Sequence, residues 1–186
     1  MSNIAIIPAR GGSKRIPRKN IKNFLGKPII AYTIEAALSS DLFEEVMVST
    51  DDEEIAEVAE KLGASIPFFR TKDNADDIAS TSAVLKEVLL TYQSRNTNFH
   101  HACCIYPCAP FIKSSHLLTA YERLCSKDLS CVLPVIPFES SIWRALEIND
   151  DTLKMIWPEN ASKRSQDLPA TYHDAGMFYF FKVSEF

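Results

Sequence analysis

A pair of glycines surrounded by cationic residues stands directly after the first apolar segment of the chain. Residues 9–20 read ARGGSKRIPRKN, with Gly11 and Gly12 adjacent to each other. Consecutive glycines tolerate the left-handed conformations in which successive backbone N–H groups form an anion-binding nest. Backbone donors combined with cationic side chains suit a polyphosphate, so this spacing predicts a phosphate site. Five cations accompany the glycines: Arg10, Lys14, Arg15, Arg18 and Lys19.

Two widespread phosphate-binding motifs are missing from the sequence. It contains neither G-x-x-x-x-G-K-[ST] nor a G-x-G-x-x-G that opens a helix. A solvated basic loop or an RNA-contacting segment is the weaker alternative, because the segment follows the first strand directly and lacks the interleaved aromatic residues typical of single-strand binding. A polyphosphate is the favoured ligand.

The positive charge is concentrated near the beginning of the chain. The first 34 residues hold seven of the 20 Lys and Arg residues and none of the 24 Asp and Glu residues, while the formal net charge of the chain is −4. A local basic segment in a mildly acidic chain indicates one anionic partner at one site. It argues against a nucleic-acid surface extending over the protein.

The composition is that of a globular protein. With 186 residues, 46% hydrophobic and 24% charged, the sequence predicts one domain over 1–186. No apolar stretch approaches the roughly 20 residues that a membrane-spanning helix needs. The five cysteines form no C-x-x-C pair, which favours reduced thiols over a zinc or redox site and predicts a cytoplasmic protein.

Helices and strands alternate along most of the chain, which predicts a three-layer, Rossmann-like α/β fold with a mainly parallel sheet. Asp51 with Glu54 has the spacing of a capping box before the second helix, and Ser80 or Thr81 caps the third. The expected strands cover 3–9, 45–50, 64–68, 101–106, 131–136 and 176–181, and the expected helices cover 28–39, 52–62, 80–92 and 114–126.

The pattern changes late in the chain. Residues 142–149 and 152–157 resemble a hairpin, and 138–172 is predicted to be an arm or flap, with dimerisation as one role. Ligands of open α/β sheets bind at the carboxyl ends of the strands. The basic loop directly follows the first strand and is therefore expected at that edge.

Several longer segments resemble a known family. IAIIPARGGSKRIPRKNIKNFLGKPIIAYTIEAA, VSTDDEEIAEVAEKLGA and CCIYPCAPF are similar to the cytidylyltransferases that activate nine-carbon sialic-type acids, and RSQDLPATYHDAGMFYFF is most similar to the branch acting on pseudaminic acid. The resemblance covers essentially the whole chain. It implies the nucleotide-diphosphosugar-transferase fold, a homodimer, and transfer of CMP from CTP to the sugar acid with Mg²⁺ and release of pyrophosphate.

The resemblance also implies roles for individual residues, with Arg10 and Lys19 as the catalytic cations. Arg144 and Arg164 match residues that reach the sugar acid across a dimer interface in the sialic-acid branch. The nucleotide-binding set is Arg10, Gly11, Gly12, Ser13, Lys14, Lys19, Asn20, Arg70, Ser80 and Thr81. The sugar-binding set is Tyr106, Arg144, Arg164, Gln166, His173, Asp174 and Tyr179.

The sequence departs from the family pattern at three places. Tyr106 stands where the sialic-acid branch has a glutamine, and His173–Gly176 replaces an Arg-Pro-Asn-Gly type of segment. Both changes favour pseudaminic acid over N-acetylneuraminic acid, and synthesis of CMP-N-acetylneuraminate or CMP-legionaminate remains the alternative. The family's metal-binding D-x-D pair is not identifiable, so no metal ligand is assigned and the end of the family domain is expected to be missing. A CTP-binding or dimerising domain without turnover is therefore an alternative.

Acidic residues outside these sets favour structural interpretations. Carboxylates in Asp51–Glu54 suit the N-terminus of a helix, and Asp51 is the member expected to face the cleft. Asp73, Asp76 and Asp77 are expected to be solvated loop charges. For His173 beside Asp174, orientation of the imidazole by the carboxylate and ordinary packing remain equal alternatives.

Overall fold

The computed structural model describes residues 2–71, 74 and 80–186. The chain divides into two compact units, one formed by Met1–Leu133 with Gly176–Phe186 and the other by Pro134–Ala175. The second unit contains the predicted arm or flap, 138–172, and that role stays a prediction. No helix within the described ranges is long and apolar enough to cross a membrane.

The first unit is built on a five-stranded sheet and, within the described residues, four α-helices. The strands of the unit are β1 (Asn3–Pro8), β2 (Asn23–Phe24), β3 (Lys27–Pro28), β4 (Glu45–Ser49), β5 (His101–Ile105), β6 (Cys131–Val132) and β11 (Phe178–Lys182). The helices are α1 (Ile29–Leu38), α2 (Glu53–Lys61), α3 (Thr81–Ser94) and α4 (Ser114–Ser126). The order of strands in the five-stranded sheet is β4-β1-β5-β11-β6.

Strand direction confirms the predicted mainly parallel sheet. β1 pairs in parallel with β4 and with β5. β11 is antiparallel to both β5 and β6, so its direction is opposite to that of the other four strands of this sheet. This return of the chain places β11 beside β5, whose carboxyl end is expected to carry ligand-binding residues.

Alternation along β1 explains the three layers. Ala5 and Ile7 belong to a buried cluster with residues of α1, α2 and α4. Ile4 and Ile6 belong to a second buried cluster with residues of α3. Because successive strand residues point to opposite faces, the continuous apolar run of β1 covers both faces of the sheet and requires helices on each side.

Helix caps differ in one detail from the sequence prediction. Asp52, and not Asp51, caps α2, because its Oδ1 accepts a hydrogen bond from the Ile55 N–H at 3.1 Å. Ser80 caps α3 by accepting from the Ala83 N–H at 3.1 Å. The side chain of Asp51 thereby remains available for other contacts of the loop.

Two predicted strands are wrong in extent. Residues 64–68 form no strand beyond a single bridge between Met47 and Ser65, and Pro67 has no N–H to continue the ladder. The predicted strand 131–136 is interrupted at Pro134. β6 therefore ends at Val132, and pairing resumes in a separate strand of the second unit.

The second unit consists of two antiparallel pairs. Its strands are β7 (Val135–Pro137), β8 (Leu146–Asn149), β9 (Thr152–Met155) and β10 (Tyr172–Asp174). β7 pairs with β10, and β8 pairs with β9. The turn between β8 and β9 uses Asp150 and Asp151 with φ of 47° and 59°. Two positive φ values in a two-residue turn match the twist of a hairpin, which confirms the hairpin predicted around these residues.

Candidate active site

A cleft of about 760 Å³ opens in the first unit where β1 ends. The loop after β1, the residues after β5 and the first turn of α3 contribute to its wall. Several polar side chains converge there on a concave surface, as in ligand sites of other α/β proteins. The lining residues are Pro8, Arg10, Ser13, Lys14, Arg15, Ile16, Lys19, Asn20, Arg70, Asn74, Thr81, Val84, Tyr106 and Pro107.

The cleft brings together most of the residues that the sequence assigned to the nucleotide. Of the predicted set, Gly11, Gly12 and Ser80 are not among the lining residues. The Ser80 hydroxyl is instead engaged at the N-terminus of α3. The roles of the others in binding and catalysis stay predictions. The predicted nucleotide-binding residues in the lining are Arg10, Ser13, Lys14, Lys19, Asn20, Arg70 and Thr81.

The glycine pair does not adopt the conformation that the sequence predicted. The glycines with positive φ in the described residues are Gly26, Gly63 and Gly176, so the left-handed nest at Gly11 and Gly12 is wrong. The Gly11 N–H donates to Asp51 Oδ1 at 2.9 Å. A Cβ on Gly11 would lie 2.5 Å from Asp52 Oδ2, whereas one on Gly12 would meet open space. A glycine is therefore required at position 11 for the loop to approach the Asp52 side chain this closely.

Asn20 is buried and connects two segments of the chain through its side-chain amide. Its side chain is 3% exposed, and its Nδ2 donates to the Arg10 carbonyl oxygen at 2.9 Å. The Cys108 thiol donates to the Asn20 Oδ1 at 3.4 Å. The amide therefore connects the residue after β1 with the segment after β5, and both segments line the cleft.

Cationic side chains of the loop after β1 form a large part of the cleft lining. Arg10, Lys14, Arg15 and Lys19 are these lining residues. Arg15 is absent from the predicted site residues, although its position within the basic loop was a signal that could have included it. Arg18 is not among the lining residues, and its guanidinium pairs with Asp52 and Glu54.

Arg70 is the most deeply buried cation of the cleft, with 9% of its surface exposed. Its Nε donates to Ser49 Oγ at 3.1 Å, and its Nη2 donates to the Ser49 carbonyl oxygen at 2.6 Å. Burial lowers the pKa of the guanidinium, while the charges of Asp51 and Glu87 oppose that change. An arginine stays protonated under such conditions, so Arg70 supplies a fixed charge next to β4.

Glu87 and Asn74 are functional candidates that the sequence prediction missed. Glu87, on α3, accepts from the Thr71 N–H at 2.8 Å and from Asn74 Nδ2 at 2.7 Å. Burial raises the pKa of Glu87, but these hydrogen bonds outweigh it and leave the pKa below its ordinary value. No local sequence pattern connects a helix residue with a loop 13 or more positions earlier. The predicted solvated charges Asp73, Asp76 and Asp77 lie outside the described residues.

Two tyrosines assigned to the sugar acid contact each other within the first unit. The rings of Tyr106 and Tyr179 lie 5.7 Å apart, edge to face. The Tyr106 N–H donates to the Met177 carbonyl oxygen at 2.9 Å, which holds the end of β5 against the start of β11. The structure thus places both rings near the carboxyl end of β5, and Tyr106 lines the cleft.

The other predicted sugar-binding residues belong to the second unit. Arg144 ends a short 3₁₀ turn, and Gln166 lies in another, Ser165–Asp167. Arg164 pairs with Asp167, with Nε 2.8 Å from Oδ2 and Nη2 3.1 Å from Oδ1. Their roles toward the sugar acid stay predictions.

His173 and Asp174 are consecutive on β10 of the second unit, so their side chains project to opposite faces of that strand. His173 Nδ1 lies 3.0 Å from the main-chain oxygen of Asp174, and its ring packs edge to face on Phe138 at 4.9 Å. The contact between the two residues therefore runs through the main chain. Packing is the alternative that the local geometry supports for His173.

The described residues contain no group of three or more His, Cys, Asp or Glu side chains that could hold a metal ion. Asp51 stands near the cleft, but its Oδ1 accepts the Gly11 N–H. The protein groups present in these ranges do not by themselves fit a Mg²⁺ site, so no chemical step is assigned to the metal here.

Comparison with known proteins agrees with this geometry. A family model described as cytidylyltransferase matches residues 4–184. A pseudaminic acid cytidylyltransferase of Campylobacter jejuni subsp. jejuni is 49% identical over 181 residues, which cover 97% of this chain and 78% of that protein. A CMP-N,N'-diacetyllegionaminic acid synthase of Legionella pneumophila subsp. pneumophila is 39% identical over 137 residues, covering 73% of this chain and 59% of that protein.

Among solved structures, a CMP:2-keto-3-deoxy-manno-octonic acid synthetase complexed with CTP has a TM-score of 0.74 to this chain at 20% identity. The match covers 100% of this chain and 76% of that chain, and it confirms the predicted α/β fold class. The match of the family model to nearly the whole sequence, together with the sequence identity to the curated relatives, shows that this chain is a nucleotidyltransferase and belongs to the cytidylyltransferase family.

Proposed function

We propose that this protein transfers CMP from CTP to the anomeric hydroxyl of pseudaminic acid and releases pyrophosphate. The observation that carries the proposal is the 49% identity to a pseudaminic acid cytidylyltransferase across 97% of the chain. The cationic cleft at the carboxyl end of β1 gives that likeness a chemical basis, because the substrate CTP is a polyanion.

The reaction is an in-line displacement at phosphorus. The anomeric oxygen forms a bond to the α-phosphorus of CTP, the bond from that phosphorus to the bridging oxygen of the β-phosphate breaks, and the hydroxyl proton is lost. Charge develops on the transferred phosphoryl oxygens and on the leaving pyrophosphate. Cations fixed before the reaction stabilise that charge without reorganising, which is the role proposed for Arg10 and Lys19, with Lys14 and Arg15 beside them.

The base and ribose of CTP are proposed to bind beside four further residues of the cleft lining. These residues are Arg70, Asn74, Thr81 and Val84. Arg70 is fixed by its two hydrogen bonds to Ser49, and Asn74 is fixed by Glu87. Immobilised donors of this kind orient a ligand before the reaction, which lowers the entropic cost of reaching the transition state.

The sugar acid is proposed to lie against Tyr106 and Tyr179. Aromatic rings offer an apolar face to the carbon skeleton of a sugar and a hydroxyl to its polar groups. A carboxylate suits bidentate recognition by guanidinium groups, which is the role proposed on the family resemblance for Arg144 and Arg164. Gln166, His173 and Asp174 complete the proposed sugar-binding set.

Mg²⁺, a homodimer and a cytoplasmic location belong to the same proposal. A divalent cation commonly accompanies a nucleoside triphosphate through its phosphates, and it is proposed here as a component of the CTP substrate. Dependence of turnover on added Mg²⁺ and the molecular mass in solution test the first two parts. The cytoplasmic location is proposed on the cysteine pattern of the sequence, which favours reduced thiols.

The decisive experiment is a pyrophosphate-release assay with CTP and Mg²⁺ and three separate acceptors: pseudaminic, N-acetylneuraminic and N,N'-diacetyllegionaminic acid. The expected result is turnover that is fastest with pseudaminic acid. Faster turnover with either of the other acids overturns the proposed substrate. If CTP raises the melting temperature but no acid supports pyrophosphate release, the chain binds CTP without turnover, as the alternative from the missing D-x-D pair predicts.

A further inference from the structure

Arg18 differs from the other cations of the basic loop in its backbone as well as its contacts. Its φ and ψ are 54° and 31°, in the left-handed region that is unfavourable for a residue with a Cβ. The next residue, Lys19, opens the short 3₁₀ turn Lys19–Ile21 and lines the cleft. A strained backbone immediately before a predicted catalytic residue requires contacts that hold it.

The side chain of Arg18 supplies those contacts. Its Nη1 donates to Asp52 Oδ2, its Nη2 donates to Asp52 Oδ1 at 3.0 Å, and Nη2 also pairs with Glu54. A guanidinium donating to both carboxylate oxygens is the geometry in which ion pairs are most directional. The hydrogen bonds raise the pKa of Arg18 and lower the pKa of Asp52, so both groups stay charged at neutral pH.

Asp52 also contacts the opposite end of the same loop. Its side-chain atoms lie so close to Gly11 that a Cβ there would stand 2.5 Å from Oδ2. Its Oδ1 accepts the Ile55 N–H and thereby fixes the carboxylate to the first turn of α2. One side chain therefore holds the beginning of the loop at Gly11 and its end at Arg18 against a helix.

We propose that Asp52 and Arg18 form a clamp that positions the cation loop, residues 11–19, for the triphosphate. Both are positioning residues: neither side chain is among the lining residues of the cleft, and the guanidinium of Arg18 pairs with the carboxylate of Asp52. By fixing the backbone at Arg18, the clamp sets the direction from which Lys19 enters the cleft. This inference rests on the proposed function for the identity of the nucleotide, and on the contacts above for the clamp itself.

The clamp and a phosphate-binding role for Arg18 predict different effects of the substitution Asp52→Asn. Asp52→Asn keeps a side-chain oxygen for the cap of α2, where asparagine is as good as aspartate, but it removes the charge that holds Arg18. If Arg18 were a phosphate ligand restrained by Asp52, this substitution would release it and tighten CTP binding. The clamp predicts weaker positioning and a lower kcat.

The first measurement is pyrophosphate release by wild-type protein, Arg18→Ala, Asp52→Asn and the double variant. We expect each single variant to lower kcat at least about tenfold with a smaller change in KM for CTP, since loss of alignment acts mainly in the transition state. The double variant should be no slower than the worse single variant, because both remove the same contact. Glu57→Gln, which breaks the exposed Lys61–Glu57 pair on α2, is the matched control and should leave kcat unchanged.

The second measurement is amide hydrogen exchange of residues 11–19 together with the dissociation constant for CTP, neither of which needs turnover. Faster exchange of the loop amides in Arg18→Ala and Asp52→Asn, with CTP binding unchanged or weaker, supports the clamp even if no sugar acid is a substrate. Unchanged exchange, tighter CTP binding by Asp52→Asn, or additive losses of kcat in the double variant would overturn it.

Discussion

At the scale of single residues, the chemistry of the cleft is a matter of which cations face it. Arg10, Lys14, Arg15 and Lys19 line the cleft, whereas Arg18 pairs with carboxylates. All five occur within ten positions of one another, so their charges look equivalent in the sequence. The fold separates Arg18 from the other four, because its guanidinium pairs with Asp52 at the N-terminus of α2 and is not among the lining residues.

Replacement of Lys19 tests the charge that the proposed mechanism needs most. Lys19→Ala should reduce kcat by about 10²–10³, the range seen when one preorganised stabiliser of transition-state charge is removed. The melting temperature should hardly change, since Lys19 is exposed. Lys22→Ala, which removes an exposed cation of the same segment outside the cleft lining, is the control for loss of net charge. An equal loss in both variants would refute a specific role for Lys19.

The two glycines of the loop should respond differently to a methyl group. Gly11→Ala places a Cβ 2.5 Å from Asp52 Oδ2, so the loop must shift, at a cost of about 1–3 kcal/mol by analogy with overpacked sites. Gly12→Ala meets nothing within 4 Å and should be nearly neutral. Urea unfolding of both variants measures the difference, and equal stability of the two would contradict the close packing of Gly11 on Asp52.

At the scale of elements, the site depends on strand ends that neighbouring strands hold in register. β1 lies between β4 and β5, and its exit loop is tied to the other two by main-chain and side-chain hydrogen bonds. The Ala9 N–H donates to the Ser49 carbonyl oxygen at 2.9 Å, and the same oxygen accepts from Arg70. The base of the cleft is thus the carboxyl edge of the parallel strands, as open α/β sheets require.

The pairing of β1 with β5 buries a histidine at the end of these strands farther from the cleft, and this histidine makes the stability of the fold depend on pH. His101 Nδ1 lies 3.0 Å from Asn3 Oδ1, and the imidazole is 6% exposed beside Lys182, His100 and the ring of Tyr121. Burial, followed by electrostatic interaction with His100 and Lys182, lowers the pKa of His101 below its ordinary value. The neutral ring is therefore the form that the fold accommodates.

The sign of the effect follows from proton binding. Below about pH 6.5 the unfolded chain takes up a proton at His101 while the folded chain resists it, so stability falls as the pH falls. His101→Gln removes this titration and should flatten the change in melting temperature between pH 7.5 and 5.5. His116→Gln, at an exposed position on α4, is the control. A His101→Gln protein with the wild-type pH dependence would disprove this account.

At the scale of the whole molecule, the chain must leave the first unit after Leu133 and return at Gly176 before the site is complete. The returning strand β11 inserts between β5 and β6 and places Tyr179 opposite Cys104. Its ring then reaches Tyr106, which is 73 positions earlier in the sequence. The segment Pro134–Ala175 is an excursion between two strands of one sheet.

The returning strand supplies a prediction about the sugar acid alone. Tyr179→Ala should raise KM for pseudaminic acid about tenfold or more, because one aromatic face is lost, while the dissociation constant for CTP changes little. Titration of each substrate at saturating concentrations of the other separates the two. Phe186→Ala removes an exposed aromatic ring that packs on Phe181 and not on Tyr106, and it serves as the control. A comparable weakening of CTP binding in Tyr179→Ala would place its ring with the nucleotide.

The sequence by itself determined the features that depend on neighbours along the chain. Alternating apolar segments and the cap signal at Ser80 or Thr81 predicted most helices and strands close to those observed, because backbone hydrogen bonding within a helix and side-chain alternation in a strand are local. The concentration of cations directly after an apolar strand likewise predicted a site at the end of β1, where the structure has a cleft lined by four of these cations.

Tertiary structure alone decided which of these groups can act together. The backbone of Gly11 and Gly12, the pairing of Arg18 with Asp52, the hydrogen bonds of Glu87 to the loop after Arg70, and the contact of Tyr179 with Tyr106 all join segments that are distant in sequence. Their geometry is set by how strands order themselves and how buried polar groups find partners. These choices depend on the packing of the whole sheet, and no spacing along the chain encodes them.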